Sequence, residues 1–235
     1  LRPDKGLSCA TICSSHSEAV LKVVVKGYRN PVMLKAPKPG DEVPCSAEAA
    51  ICDELYRVCR GGSHLVFANS RKRTESLAAK LSDLCEAKAV PNEFFPHHGS
   101  LSKEAREDLE ARLQKETLPT TAICTMTLEL GIDIGKVNSV VQVTAPHTVS
   151  SLRQRLGRSG RRGAPAILRM LIEEDELQTN SSLVDKLRME LLQSIAMIRL
   201  LIAGKWFEPA DTEQFHFSTL LHQVLAVTAQ WGGVR

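Results

Sequence analysis

Aromatic residues are scarce: Phe, Trp and Tyr together make up 4% of the sequence, while 43% of it is hydrophobic. A sizeable core is therefore expected, built from aliphatic side chains rather than rings. No stretch approaches the ~18 uninterrupted apolar residues that a membrane-crossing helix needs, which excludes a span and a membrane partner. The opening LRPDKGLSCA lacks the apolar run of a secretory leader. Cys-x-x-Cys pairs are missing, and the seven cysteines are odd in number. A disulfide framework is not expected, and free thiols suit a reducing, cytoplasmic compartment. Cys45, Cys52 and Cys59 recur every seven residues, so Cys52 and Cys59 share a helix face and read as small packed hydrophobes.

Two nucleotide-binding signatures are also missing. GIDIGKV approaches the phosphate loop G-x-x-x-x-G-K-[ST], but Gly131 and Gly135 are too close and Val137 has no hydroxyl for Mg²⁺. CDELY approaches the acidic box D-E-x-H, yet it sits in a helical pattern with Tyr56 in the place of the His.

The net charge of +3 is unevenly spread. Residues 164–235 carry six Lys/Arg against nine Asp/Glu. The surplus of positive charge lies before them, which makes a polyanion partner plausible for that part.

Along the chain, the first forty residues end in KAPKPGDEVP, whose Pro, Lys and Gly read as a linker. SAEAAICDELYRVCR is helical by spacing, with Ile51, Leu55 and Val58 on one face. HLVFAN, NEFFPHH, TTAICT, NSVVQVT and PAILRMLI read as strands. SRKRTESLAAKLSDLC and SKEAREDLEARLQ read as helices, the latter capped by Ser102 with Glu104 in its first turn. Alternating strands and helices predict an α/β fold: a mostly parallel sheet with helices on both faces. SSLVDKLRMELLQSIAMIRLLIAG reads as one long helix broken at Gly204. The remainder starts as a loop and ends in a short amphipathic helix closed by Gly232-Gly233.

In such a sheet the functional groups lie beyond the carboxyl ends of the strands. FANSR, HHGSLS, CTMTLELGIDIG and QRLGRSGRRG fall there. The longer stretch LRQRLGRSGRRG sets five arginines among three glycines, suited to phosphate oxygens because guanidinium stays charged and forked. Arg158 and Arg161 stand three apart, so on a helical turn both point the same way. A plain basic patch for nucleic acid or localisation needs neither the glycines nor Gln154. Helix starts at Asn69-Ser70-Arg71 and Gly99-Ser100 would offer free amides to phosphate. His97 and His98, adjacent on a strand, point to opposite faces and make a poor metal pair, so no metal site is expected.

Together these stretches resemble the second RecA-like domain of a superfamily 2 helicase. HHGSLSKEAREDLEARL, TLELGIDIGKVNSVVQV and QRLGRSGRRG are similar to the large helicase-related (Lhr) family in particular. The resemblance runs from about residue 40 to about 172, and the tail WFEP…STLLHQVLAVTAQWGG resembles the opening of that family's winged-helix domain. It implies a division into residues 1–40 (end of a first motor domain and linker), 41–180 (second RecA-like domain), 181–204 (connecting helix) and 205–235 (start of a winged helix).

The resemblance also implies roles. Arg158 and Arg161 would be arginine fingers on the γ-phosphate of ATP. Gln154 would lie near the nucleotide, and Asp133, on a tight turn at Gly131, would accept hydrogen bonds from the ribose. Asn69, Ser70, Arg71, Gly99, Ser100, Thr125 and Thr127 would grip the backbone of a single strand, DNA favoured, with 3′ to 5′ movement. ATP and Mg²⁺ would be held mainly by the enzyme's own N-terminal RecA-like domain, so this chain is expected to be a fragment, inactive alone. GLSCATI resembles a disturbed S-A-T motif from the end of that first domain, with Cys9 inserted between Ser8 and Ala10. Two other readings stay open: a non-catalytic nucleic-acid-binding module with this fold, and a partner-binding domain using the acidic C-terminal part.

Overall fold

The structure is a computed structural model that describes residues 20–31, 45–129, 133–135, 137–160, 165–209 and 216–232. The linker KAPKPGDEVP up to residue 44, residues 8–11, Gly131, Arg161 and Arg162 lie outside the described residues.

Six strands form one sheet in the order β1-β6-β5-β2-β4-β3. They are β1 (Leu21–Asn30), β2 (Ser63–Phe67), β3 (Phe94–His97), β4 (Thr120–Cys124), β5 (Ser139–Val143) and β6 (Ala166–Asp175). Every pairing is parallel. The central strands explain why: β4 and β5 are buried along their whole length, with no solvated face, and only helices on both sides can cover such a sheet. α1 (Ala47–Cys59) and α2 (Arg71–Ala87) cover one side. Their Ile51, Leu55, Leu77 and Leu81 pack with Val66, Ile123 and Val141. α3 (Lys103–Lys115), α4 (Val149–Leu156) and α6 (Met189–Ile202) cover the other, where Leu113, Leu152 and Met197 meet Leu65, Phe67 and Val140. Each fully buried Leu, Ile or Phe contributes roughly 1.5–3 kcal/mol. Among the described residues, Phe67 and Phe94 are the only aromatic rings in the set of largest fully buried side chains, so the core is aliphatic as the composition predicts.

The helix starts follow sequence chemistry. Ser46, Ser70, Ser102 and Thr148 each accept a hydrogen bond from the amide three residues on, opening α1, α2, α3 and α4. CDELY lies inside α1, where Glu54 pairs with Lys26 and Arg57 and so serves structure.

Three elements differ from the sequence reading. Leu21–Asn30, read as part of a domain end and linker, is an edge strand of this sheet, in register with β6 from Leu21↔Ala166 to Asn30↔Asp175. Its burial alternates only loosely, as suits an edge, which is why it lacks the dense apolar run of a central strand. The single helix predicted over 181–204 is two, α5 (Leu183–Leu187) and α6. They part at Arg188, in left-handed backbone at φ 50°, whose side chain pairs with Glu174 at the end of β6. Gly99-Ser100 do not start a helix. They lie in a turn, and α3 begins at Lys103.

α7 (Phe217–Trp231) ends at Gly232, as the sequence predicts, and is exposed along its length. No helix among the described residues is long and apolar enough to cross a membrane.

Candidate functional site

Because all six strands run the same way, the loops after β2, β3, β4 and β5 gather on one edge of the sheet. Arg71, Lys72, Glu75, His98, Gly99, Ser100 and Thr125 line an open groove there of about 560 Å³. Arg71 Nη1 donates to Ser100 Oγ at 2.8 Å, tying the start of α2 to the β3 loop. Arg71, Gly99, Ser100 and Thr125, four of the seven residues expected to grip a strand, are thus brought together in one groove. Ser70 caps α2, its hydroxyl accepting from the amide of Arg73 at 3.2 Å.

Asn69 and Thr127 direct their side chains at the protein. Asn69 Nδ2 donates to Thr144 Oγ1 and to the Ala145 carbonyl, both at 2.7 Å, joining the β2 and β5 loops. Thr127 Oγ1 donates to the His97 carbonyl at 3.2 Å and lies 2.8 Å from His97 Nδ1. The other ring nitrogen of His97 meets Glu110 of α3 at 2.9 Å. Burial pushes the His97 pKa down, against the pull of Glu110. His98 turns to the opposite side, with Nε2 3.1 Å from Glu75 Oε1 of α2. The two histidines therefore serve different helices, and no group of three His, Cys, Asp or Glu among the described residues could hold a metal ion. Cys52, Cys59, Cys85 and Cys124 are buried and free. Burial pushes the Cys52 thiol up to about 11 and Cys59 up to about 12, which leaves both inert near neutrality.

The arginine-rich segment is built on α4. The helix stops at Leu156, with Gly157 as its cap, so Arg158 lies in the turn beyond it rather than on a helical face. Arg158 Nη2 and Nε donate to the Glu129 carbonyl at 2.9 and 3.3 Å. Gly160 then turns the chain at φ +75°, with a Cβ there only 2.7 Å from Ala166. That position requires glycine twice over, for its backbone and for its space. Gln154 and Asp133 are exposed, and Asp133 Oδ1 accepts from the Gly135 amide at 3.4 Å.

Arg155 was given no role by the sequence reading, and the structure makes it the hub. It is 3% exposed and donates through Nε to Glu129 Oε2 at 2.8 Å and through Nη1 to Gln142 Oε1 at 2.6 Å. Its guanidinium also lies 4.7 Å from the Phe67 ring centroid. Gln142 in turn donates to Asn69 Oδ1 at 3.4 Å. The signal available in sequence was the apolar run Val140-Val141 interrupted by a Gln, a buried polar group that requires a partner.

Glu208, after α6, was missed too. Its carboxylate accepts from the amides of Val149 and Ser150 at 2.9 and 2.8 Å. These bonds, that of Val149 foremost, hold its pKa down to about 2.

With this geometry in view, residues 47–163 match the helicase conserved C-terminal domain. Over 209 residues the chain is 29% identical to the ATP-dependent helicase Lhr-Core of Saccharolobus solfataricus, covering 82% of this chain and 24% of that one. The chain carries the C-terminal helicase domain of the Lhr family, in superfamily 2. The Lhr helicase/uracil glycosylase of Escherichia coli is 37% identical over 140 residues, 48% of this chain and 9% of its own. Among solved structures, Mycobacterium smegmatis helicase Lhr bound to ssDNA and AMP-PNP superposes with a TM-score of 0.65 at 27% identity, over 90% of this chain and 25% of that one. The Lhr domain described here thus spans about a quarter or less of these relatives.

Proposed function

We propose that this chain is the second motor domain of an ATP-dependent helicase, supplying arginines to ATP and backbone contacts to single-stranded nucleic acid, DNA favoured. The observation that carries the reading is a chain of contacts that runs from Asn69, next to the groove at Arg71 and Ser100, through Gln142, Arg155 and Glu129 to the Arg158 turn.

The residues present suit one side of a nucleotide. Arg158, with Arg161 beyond the described residues, has the charge and forked donors for a phosphate tail, and Gln154 and Asp133 are exposed polar groups for its other parts. In the sequence nothing matches a phosphate loop or an acid box, so ATP and Mg²⁺ would be held mainly by an N-terminal RecA-like domain of the same enzyme. Bound ATP would supply the free energy of phosphoryl transfer. Arginine at that point would stabilise the transferring phosphoryl charge, worth ~10³ or more in rate. The groove would hold sugar-phosphate through charge, so affinity should fall steeply with salt and vary little with base sequence. Residues 181–204 would connect this domain to a winged helix beginning near residue 205.

ATP turnover with single-stranded DNA tests this, for the chain alone, mixed with the N-terminal motor half, and with Arg158→Ala. Silence alone, turnover on mixing and its loss in the variant are the expected results. Binding of DNA with no turnover on mixing, and weaker binding in Arg158→Ala, would instead make the arginines adhesive and the domain a non-catalytic binding module.

A further inference from the structure

The helix that leads into the arginine-bearing turn is held at its start from outside the helicase C-terminal domain. α4 is eight residues long, barely two turns, and a helix that short has little stability of its own. Thr148 satisfies one amide of its first turn, that of Ser151. Glu208 satisfies two more, those of Val149 and Ser150, and its Oε2 also accepts from the Ser150 hydroxyl at 2.8 Å. One residue earlier, the Phe207 ring lies under the Arg153 guanidinium at 3.9 Å. α6 holds the entry to α4: Glu190 Oε2 accepts from the Ala145 amide at 3.0 Å, and Gln193 Nε2 donates to the Pro146 carbonyl at 3.4 Å. Asn69 also holds the Ala145 carbonyl from within the matched domain at 47–163, but the distant bonds to the first turn of α4 itself come from Glu208, beyond that domain.

We infer that Glu208 is a positioning residue for the arginine-bearing turn: α6 and the stretch to Glu208 form a bracket that sets where α4, and hence Gln154 and Arg158, stand. The inference rests on the proposed nucleotide role of those two residues. The physical reason is leverage. The Glu208 carboxylate grips the first turn of α4 and Arg158 follows the last, so a shift at the grip is carried over only two helical turns to the guanidinium. The bonds are charge-assisted, the carboxylate sits at the positive end of the helix, and a neutral or shortened side chain loses both features. The bracket also gives whatever follows Glu208 in the chain a mechanical connection to the site of ATP turnover.

The test uses the full-length helicase with Glu208→Ala, Glu208→Gln and, as a control, Arg158→Ala. In Glu208→Ala, ssDNA-stimulated kcat should fall about tenfold while KM for ATP and Kd for ssDNA stay within about twofold, the pattern of misplaced transition-state contacts. Glu208→Gln, which keeps one acceptor oxygen, should recover part of the loss. Hydrogen exchange should quicken across residues 149–157 and stay unchanged in β2 and β4. If Arg158→Ala abolishes turnover but both Glu208 variants keep kcat within twofold, the bracket does not position the arginine and the inference falls alone. A kcat that merely tracks the fraction folded would also overturn it, leaving a simple helix cap. If Arg158→Ala keeps full turnover, the nucleotide reading itself fails. Should Glu208→Ala not fold, the isosteric Glu208→Gln and Phe207→Leu carry the same comparison.

Discussion

Arg155 Nη2 lies 2.8 Å from Glu129 Oε2, with the two side chains only 3% and 8% exposed. The pair joins the turn after β4 to the helix before the arginine-rich loop, and Gln142 extends it across β5 towards Asn69. A buried ion pair is weak evidence of stability, since both charges have lost water. Its value here is geometric. Glu129 also offers its carbonyl to Arg158, so one residue orients two arginines of the same segment by different atoms.

Arg155→Ala would leave the Glu129 carboxylate buried without its partner. Loss of one member of such a pair costs about 3–5 kcal/mol, and chemical denaturation should read a loss of that order. Arg155→Lys should recover little of it, because a point charge cannot reach Glu129 and Gln142 as the forked guanidinium does. A variant within about 1 kcal/mol of the parent would mean that water enters and replaces the guanidinium.

Gly160→Ala should be damaging by a separate route. At φ +75° an alanine pays about 1–2 kcal/mol of backbone strain, and its Cβ would sit 2.7 Å from Ala166 at the start of β6. Stability should drop by more than the strain alone. Gly232→Ala, also at φ +75° but with open space around it, should show the strain only. The difference between the two melting curves isolates the close approach.

Much of this architecture was legible in the sequence. HLVFAN, TTAICT and NSVVQVT are dense apolar runs because central parallel strands are buried on both faces, and each is a strand. The serine and threonine caps were readable because their chemistry is local. What was hidden depends on partners distant in sequence. Leu21–Asn30 is a strand because β6 offers it an edge, 145 residues away in register. The break at Arg188 depends on Glu174, and the grip on α4 on Glu208, neither of which has a local signature. At the site, Gly99, Ser100, Arg71 and Thr125 share a groove as loop position predicts. Asn69, though exposed, and Thr127, on equally suitable loops, bond to the protein because Thr144 and His97 offer them partners at close range.

For the groove, the prediction concerns salt. Arg71 reaches across it to Ser100 and is exposed, so its charge is available to a phosphate. Arg71→Ala in the intact helicase should weaken single-stranded DNA binding nearly equally for all sequences. The slope of log affinity against log salt should decrease by about 1, as loss of one phosphate contact implies. Fluorescence anisotropy at several salt concentrations reads both. An unchanged slope would show that the strand does not run through this groove.

His64 supplies a prediction about pH. Its ring is buried with Nδ1 2.8 Å from Ser139 Oγ, and burial, with the Arg169 charge adding to it, pushes its pKa from 6.5 down to about 4. The sign follows from proton counting. Between those two values the unfolded chain binds a proton at this site and the folded chain does not, so lowering the pH favours unfolding. The full contribution is present above pH 6.5 and should be lost as pH falls towards about 4, at up to about 1.4 kcal/mol per pH unit. His97, also pushed down, acts in the same sense. Glu208, with its pKa held down to about 2, stays ionised across that window, and its grip on α4 should persist there. Denaturation midpoints measured from pH 7.5 to 4.5 should therefore decline for the parent and decline less for His64→Gln. Parallel declines in the two proteins would show that His64 is protonated in the folded state or shielded in the unfolded one.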